Sequence, residues 1–163
     1  KENFFDCAIS LHTIYHIDKD KQEEAVRKLI YVTRPGQPII IVYSNPSKVF
    51  KWGARFITLP FILIRKAKEL LKKLTKKREQ IEDMELYFYT HPIEWWDRFS
   101  DDVHDITILP WRSLNSDIQK CLIPNNKIGK KIFALIFNLE ERFPKFFVKY
   151  FCYSMIIITK RKS

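Results

Sequence analysis

Glycine is scarce in this chain. Three occur among 163 residues, too few for an all-β fold built on tight turns, where glycine supplies the positive-φ conformations. Metal-ligand spacing is missing too. Cys7, Cys121 and Cys152 form no CxxC pair and no Cys/His cluster, so no metal is expected. Three widely separated cysteines read as reduced thiols of a cytoplasmic protein. Cys7, inside an apolar run, reads as a small core residue. No apolar run approaches the ~18 residues of a membrane span. No secretory leader opens the chain, and no repeat is evident. Acidic side chains are outnumbered, 19 against 29 basic, for a formal net charge of +10. That balance favours anionic partners without choosing among phosphate, nucleic acid and a membrane surface.

What is present is enough apolar material for a core. Hydrophobic residues make up 46% of the chain and aromatic residues 15%, which excludes a disordered sequence. The length suits one domain over residues 1–163.

The organising stretch is Phe4 to Pro46. An apolar run over Phe4–Ser10 predicts a strand buried on both faces. A loop over Leu11–Asp20 follows, then a helix over Lys21–Thr33 with Ala25, Val26, Leu29, Ile30 and Val32 as its stripe. Asp20 is expected as its N-cap, with Glu23 completing a capping box. Arg34-Pro35-Gly36-Gln37 makes a turn, and Gln37–Tyr43 predicts a second strand. Two buried strands joined through a helix imply a parallel pair with a right-handed crossover. The chemistry of such a unit lies at the carboxyl ends of its strands, here Ser10-Leu11-His12 and Ser44-Asn45-Pro46.

Residues 47–86 are too long for a plain connection and are expected to form a helical insert. An apolar stretch over Lys48–Ile64, broken by Pro60, precedes a basic run over Arg65–Arg78 with eight Lys or Arg against one Glu. Beyond it, Glu85–Thr90 reads as extended and Glu94–Phe99 as a short helix. Asp105–Trp111 reads as a third strand and Arg112–Gly129 as loop. Lys130–Phe143 predicts a helix, Phe146–Phe151 an apolar segment, and Ser154–Lys160 the last strand.

The segment Phe5-Asp6-Cys7-Ala8-Ile9-Ser10, the loop closing in His16-Ile17, and the turn Pro35-Gly36-Gln37 before an Ile/Val-rich strand resemble the second half of a class I S-adenosylmethionine (SAM)-dependent methyltransferase. Gln37 stands where the family has a second Gly. The resemblance implies an α/β fold: a partial Rossmann-like sheet, with a parallel strand pair, antiparallel C-terminal strands, and the insert as a substrate lid. It implies SAM as cofactor. The family's Gly-rich loop and ribose-binding acidic residue precede this region and have no match here. The chain is therefore expected to be a fragment, with a preceding segment or a partner chain completing the sheet. Its last strand is expected beside the second.

The resemblance places Ser10, Leu11, His12 and His16 along the cofactor, with packing behind the loop as the other role for His16. A neutral imidazole can accept a proton from a substrate hydroxyl, which makes His12 the first choice of base, with Tyr15 and His91 as further catalytic candidates. Trp95, Trp96 and Arg112 are the substrate-side candidates: an indole can stack on a sugar, and a guanidinium can grip a carboxylate or phosphate. Two adjacent Trp on a helix cannot face the same way, and the plainer reading has both covering the core. The expected reaction is methyl transfer to a small-molecule acceptor such as a sugar or lipid-linked intermediate. The alternative is a non-catalytic protein whose basic helix, residues 65–78, binds an anionic membrane or polyanion. Nucleic acid is disfavoured because no reading motif accompanies the charge.

Overall fold

The computed structural model describes residues 1–46, 86–114, 116, 119–120 and 123–161. The insert expected at 47–86, all but its last residue, and the basic helix 65–78 lie outside the described residues. Four strands form one mixed sheet in the order β1-β2-β4-β3. They are β1 (Ala8–Leu11), β2 (Pro38–Ser44), β3 (Val103–Arg112) and β4 (Tyr153–Lys160). β1 and β2 are parallel. β4 runs antiparallel between β2 and β3. As expected, the last strand lies beside the second.

β1 starts later than the apolar run suggests. The amides of Phe4 and Phe5 donate to the Val32 carbonyl at 2.8 and 3.0 Å, and Asn3 donates to Tyr31 at 3.1 Å. These bonds satisfy carbonyls that helix α1 (Gln22–Val32) leaves open at its C-terminus, so the segment caps a helix before it joins the sheet. Two expectations fail here. The strand is not buried on both faces: Ile9 is 60% and Leu11 55% exposed. Both side chains share a sheet face with Ile40 and Val42, and no described element covers that face at β1. Cys7 is exposed rather than in the core; it lies between the Phe5–Thr33 bridge and the first residue of β1.

The capping box is also absent. A 3₁₀ turn, Lys19–Lys21, leads straight into α1, and no side chain caps the helix. Glu23 instead holds Arg27 at 2.9 Å and Arg98 at 2.6 Å. Beyond the helix, Gly36 has φ of 76° and its amide bonds the Lys160 carbonyl at 2.9 Å. This is the one position in the turn that requires glycine, so Gln37 in place of a second Gly is tolerated.

One face of the sheet carries the core. Ile39, Ile41 and Tyr43 of β2 and Ile156 and Ile158 of β4 point to it by the two-residue period. There they meet Val26 and Ile30 of α1 and Trp96 and Phe99 of a 3₁₀ helix, Ile93–Phe99. Ion pairs from Glu23 to Arg98 and from Arg27 to Asp102 tie α1 to this segment. Between β3 and β4 the described residues include the helices α2 (Lys127–Arg142) and α3 (Pro144–Tyr150). α2 begins earlier than its stripe predicts because the Asn126 side chain accepts from the amides of Ile128 at 2.9 Å and Gly129 at 3.1 Å. Pro144 opens α3 at a position where its missing N–H costs nothing. No helix among the described residues is long and apolar enough to cross a membrane.

Candidate functional site

The carboxyl ends of β1, β2 and β3 and the start of β4 meet at one edge of the sheet. Registry sets this: Tyr153 is opposite both Ser44 and Arg112, and Leu11 is opposite Val42. The His12 amide extends the β1 ladder by donating to the Val42 carbonyl at 3.1 Å. His12 then turns with φ of 56°, a left-handed conformation that a non-glycine residue adopts at a cost of about 1 kcal/mol or more. That turn brings its Nδ1 to 2.9 Å from the Tyr15 hydroxyl. The imidazole stands edge-on to the Tyr153 ring at 5.0 Å. The Arg112 guanidinium lies 5.0 Å from the centre of the same Tyr153 ring, and its buried Nε has no hydrogen-bond partner among the described residues.

His12 and Tyr15, proposed from one loop, and Arg112, proposed from the end of a distant strand, thus share one cluster. Tyr153 joins them and was not anticipated; its position at the start of a strand carries no signal of its own. Burial holds the His12 pKa below its ordinary value of 6.5, helped by the positive charge of Arg112 and by His16. The imidazole is therefore neutral at physiological pH. Burial raises the Tyr15 hydroxyl above 10.0, with Tyr153 adding to the effect and Arg112 opposing it. Ser10 remains inside the β1 ladder, and Leu11 presents an exposed side chain at its end. His16 faces outward, with Nδ1 2.8 Å from the Tyr87 carbonyl and its ring 4.6 Å from that of Tyr15.

His91 belongs to a second group. Its ring stacks on Trp95 with centroids 4.4 Å apart and planes 5° from parallel. Its buried Nε2 has no hydrogen-bond partner among the described residues. Burial lowers its pKa below 6.5; a hydrogen bond to the Lys19 backbone opposes this, and the positive charge of Arg98 adds to it. The His91 amide donates to the Tyr43 hydroxyl at 3.0 Å, which donates in turn to Gln22 Oε1 at 2.7 Å. Gln22 Nε2 donates to the carbonyls of Ile17 and Tyr89, both at 3.0 Å. This buried relay, also unanticipated, clamps residues 89–91 over the β1 loop. Trp95 and Trp96 are both in the core, 6% and 1% exposed, as the plainer reading had it.

A cleft of about 480 Å³ opens at the end of β2, with Asn45, Ile93, Glu94, Lys145 and Lys149 among its lining residues. Asn45 shapes it. Its buried Nδ2 donates to the Val148 carbonyl at 2.9 Å, the Phe151 carbonyl at 3.2 Å and Ser154 Oγ at 2.8 Å. Those bonds fix α3, and with it both lysines, against the strand end.

The architecture is similar to that of a SAM-dependent methyltransferase from Archaeoglobus fulgidus, with a TM-score of 0.51 and 12% identity over 98% of this chain and 61% of that one. The chain carries part of the SAM-dependent methyltransferase fold. It also resembles the [4+2]-cyclase SpnF, at a TM-score of 0.44 and 12% identity over 100% of this chain and 53% of that one. A third likeness is to phosphoethanolamine N-methyltransferase 2 of Haemonchus contortus, at a TM-score of 0.41 and 12% identity over 99% of this chain and 34% of that one. Identities this low establish the fold and leave function to the site. The chain spans less than two-thirds of each of these proteins. No family model and no curated protein matches the sequence. In methyltransferase terms, the His12 cluster lies at the strand ends, where α/β sheets bind ligands.

Proposed function

We propose that this chain is part of a SAM-dependent methyltransferase acting on a small-molecule acceptor, and that the end of β1 forms one wall of the cofactor site. The reading rests on a single observation. A parallel pair, an antiparallel strand inserted beside it, and a strained His-bearing turn occur together at the carboxyl end of β1. Ser10, Leu11 and His12 fit a ligand wall: the side chain of Leu11 is exposed at the strand end, and the backbone turns sharply just beyond it. The remaining walls need a Gly-rich loop on a strand bonded to the open side of β1. A preceding segment or a partner chain supplies it.

SAM, when bound, supplies a methyl group on a sulfonium centre. This chain orients the acceptor and takes up its proton. For His12 to act as base, its Nδ1–H donates to the Tyr15 oxygen, which leaves Nε2 with a free lone pair. The lowered pKa keeps that lone pair available at neutral pH. The acceptor enters the cleft at the end of β2, where Lys145 and Lys149 favour an anionic group such as the phosphate of a lipid-linked intermediate. Arg112 keeps the cluster positive and disfavours protonation of His12.

Isothermal titration of the full-length protein with SAM and with its demethylated product tests this reading. Micromolar binding of both is expected. A folded protein that binds neither is not a methyltransferase of this kind.

A further inference from the structure

We propose that α2 and α3 form a docking surface for an anionic phospholipid bilayer. α2 has two apolar sides. Gly129, Phe133, Ile136 and Glu140 form the side turned toward the protein. Buried Glu140 accepts from the Ser113 amide at 3.2 Å and from its hydroxyl, which fixes the helix against the end of β3. A second stripe is exposed: Ile128 at 62%, Leu135 at 59% and Leu139 at 37%. Their spacing of seven and four residues puts them on one line along the helix. The stripe continues past the helix end through Phe143 and Phe146, 50% and 53% exposed.

A soluble surface rarely gathers this much bare apolar side chain on one element. The charge around it selects the occupant. Lys131 and Arg142 lie beside the stripe, within about 60° around the helix, and Lys145 and Lys149 are carried by α3. The acidic residues of the two helices are Glu140, which is committed to Ser113, and Glu141, roughly 150° around the helix from the stripe. An apolar stripe flanked by cations on one helix pair matches the interface of an anionic bilayer: aromatic and aliphatic groups enter the acyl boundary while lysines meet the phosphates. A second protein copy would set these like charges against each other. A nucleic acid would leave the apolar stripe in water. This surface is separate from residues 65–78, and it does not depend on the methyltransferase reading.

Co-sedimentation of the full-length protein tests the proposal, using phosphatidylcholine vesicles with and without phosphatidylglycerol, in low and high salt. The protein is expected to bind the phosphatidylglycerol vesicles and to be released by salt. Leu135→Glu, and separately the pair Lys131→Glu and Arg142→Glu, should each weaken partitioning by about tenfold or more. Absence of binding, equal binding to neutral vesicles, or variants that bind like the parent would overturn the proposal. So would a fall in melting temperature for Leu135→Glu, since it would mean that another part of the chain covers the stripe. A dimer that Leu135→Glu dissolves would assign the face to a second copy instead.

Discussion

Tyr43 joins three parts of the molecule through one oxygen: it accepts from the His91 amide and donates to Gln22, which holds the carbonyls of Ile17 and Tyr89. Burial pushes its pKa up to about 12, so the hydroxyl stays protonated and remains a donor at any ordinary pH. Tyr43→Phe keeps the ring packed on Trp96 and leaves a buried amide oxygen and a buried N–H unpaired. The expected loss is about 1–3 kcal/mol, read as a lower urea midpoint with an unchanged slope. An unmoved midpoint would mean that water replaces the hydroxyl. In the sequence Tyr43 was only the last apolar residue of a strand, and Gln22 only part of a helix start. Neither position signals a hydrogen bond to a residue dozens of places away. His12 was singled out in the sequence because the family resemblance places it at a strand end along the cofactor and an imidazole can accept a proton. Its left-handed backbone was not legible.

The start of α2 shows the same division at the level of an element. The apolar period along Lys130–Phe143 announced the helix, but its first turn depends on Asn126 and on Gly129 lying against the preceding loop. A Cβ on Gly129 would sit 1.8 Å from the Pro124 carbonyl oxygen. Glycine to alanine inside a helix ordinarily stabilises by about 1 kcal/mol. Here the contact is with backbone that cannot swing aside, so Gly129→Ala should instead destabilise by about 1–3 kcal/mol. Thermal unfolding followed by circular dichroism gives the sign directly, and a higher melting temperature would refute the close contact. The missing capping box at α1 follows similar logic. Asp20 and Glu23 have suitable spacing, yet the chain enters through a 3₁₀ turn, and Glu23 makes ion pairs with Arg27 and Arg98 instead.

For the whole molecule, two histidines link stability to pH. His12 and His91 both have folded pKa values below 6.5, chiefly through burial. The unfolded chain therefore takes up protons first as pH falls below 6.5. Their contribution is complete above that value and is lost as pH drops through the lowered folded values. Glu23 and Glu24, lowered from 4.5 by Arg27 and Lys28 respectively, begin to lose theirs only as pH falls below 4.5. Melting temperature should be flat above neutrality and decline just below pH 6.5, and a His12→Asn/His91→Asn variant should flatten that decline. A decline of equal size in the variant would place its origin elsewhere. By itself the sequence determined the parallel βαβ unit, the order of the later strands and the helices between them. Apolar period and turn residues are local properties, and the family resemblance located the last strand. The tertiary structure alone decided that Phe4 and Phe5 cap a helix, that Tyr153 and Arg112 close on His12, and which apolar faces stay uncovered. Those outcomes depend on strand register and on which element covers each face, and no local stretch of residues encodes either.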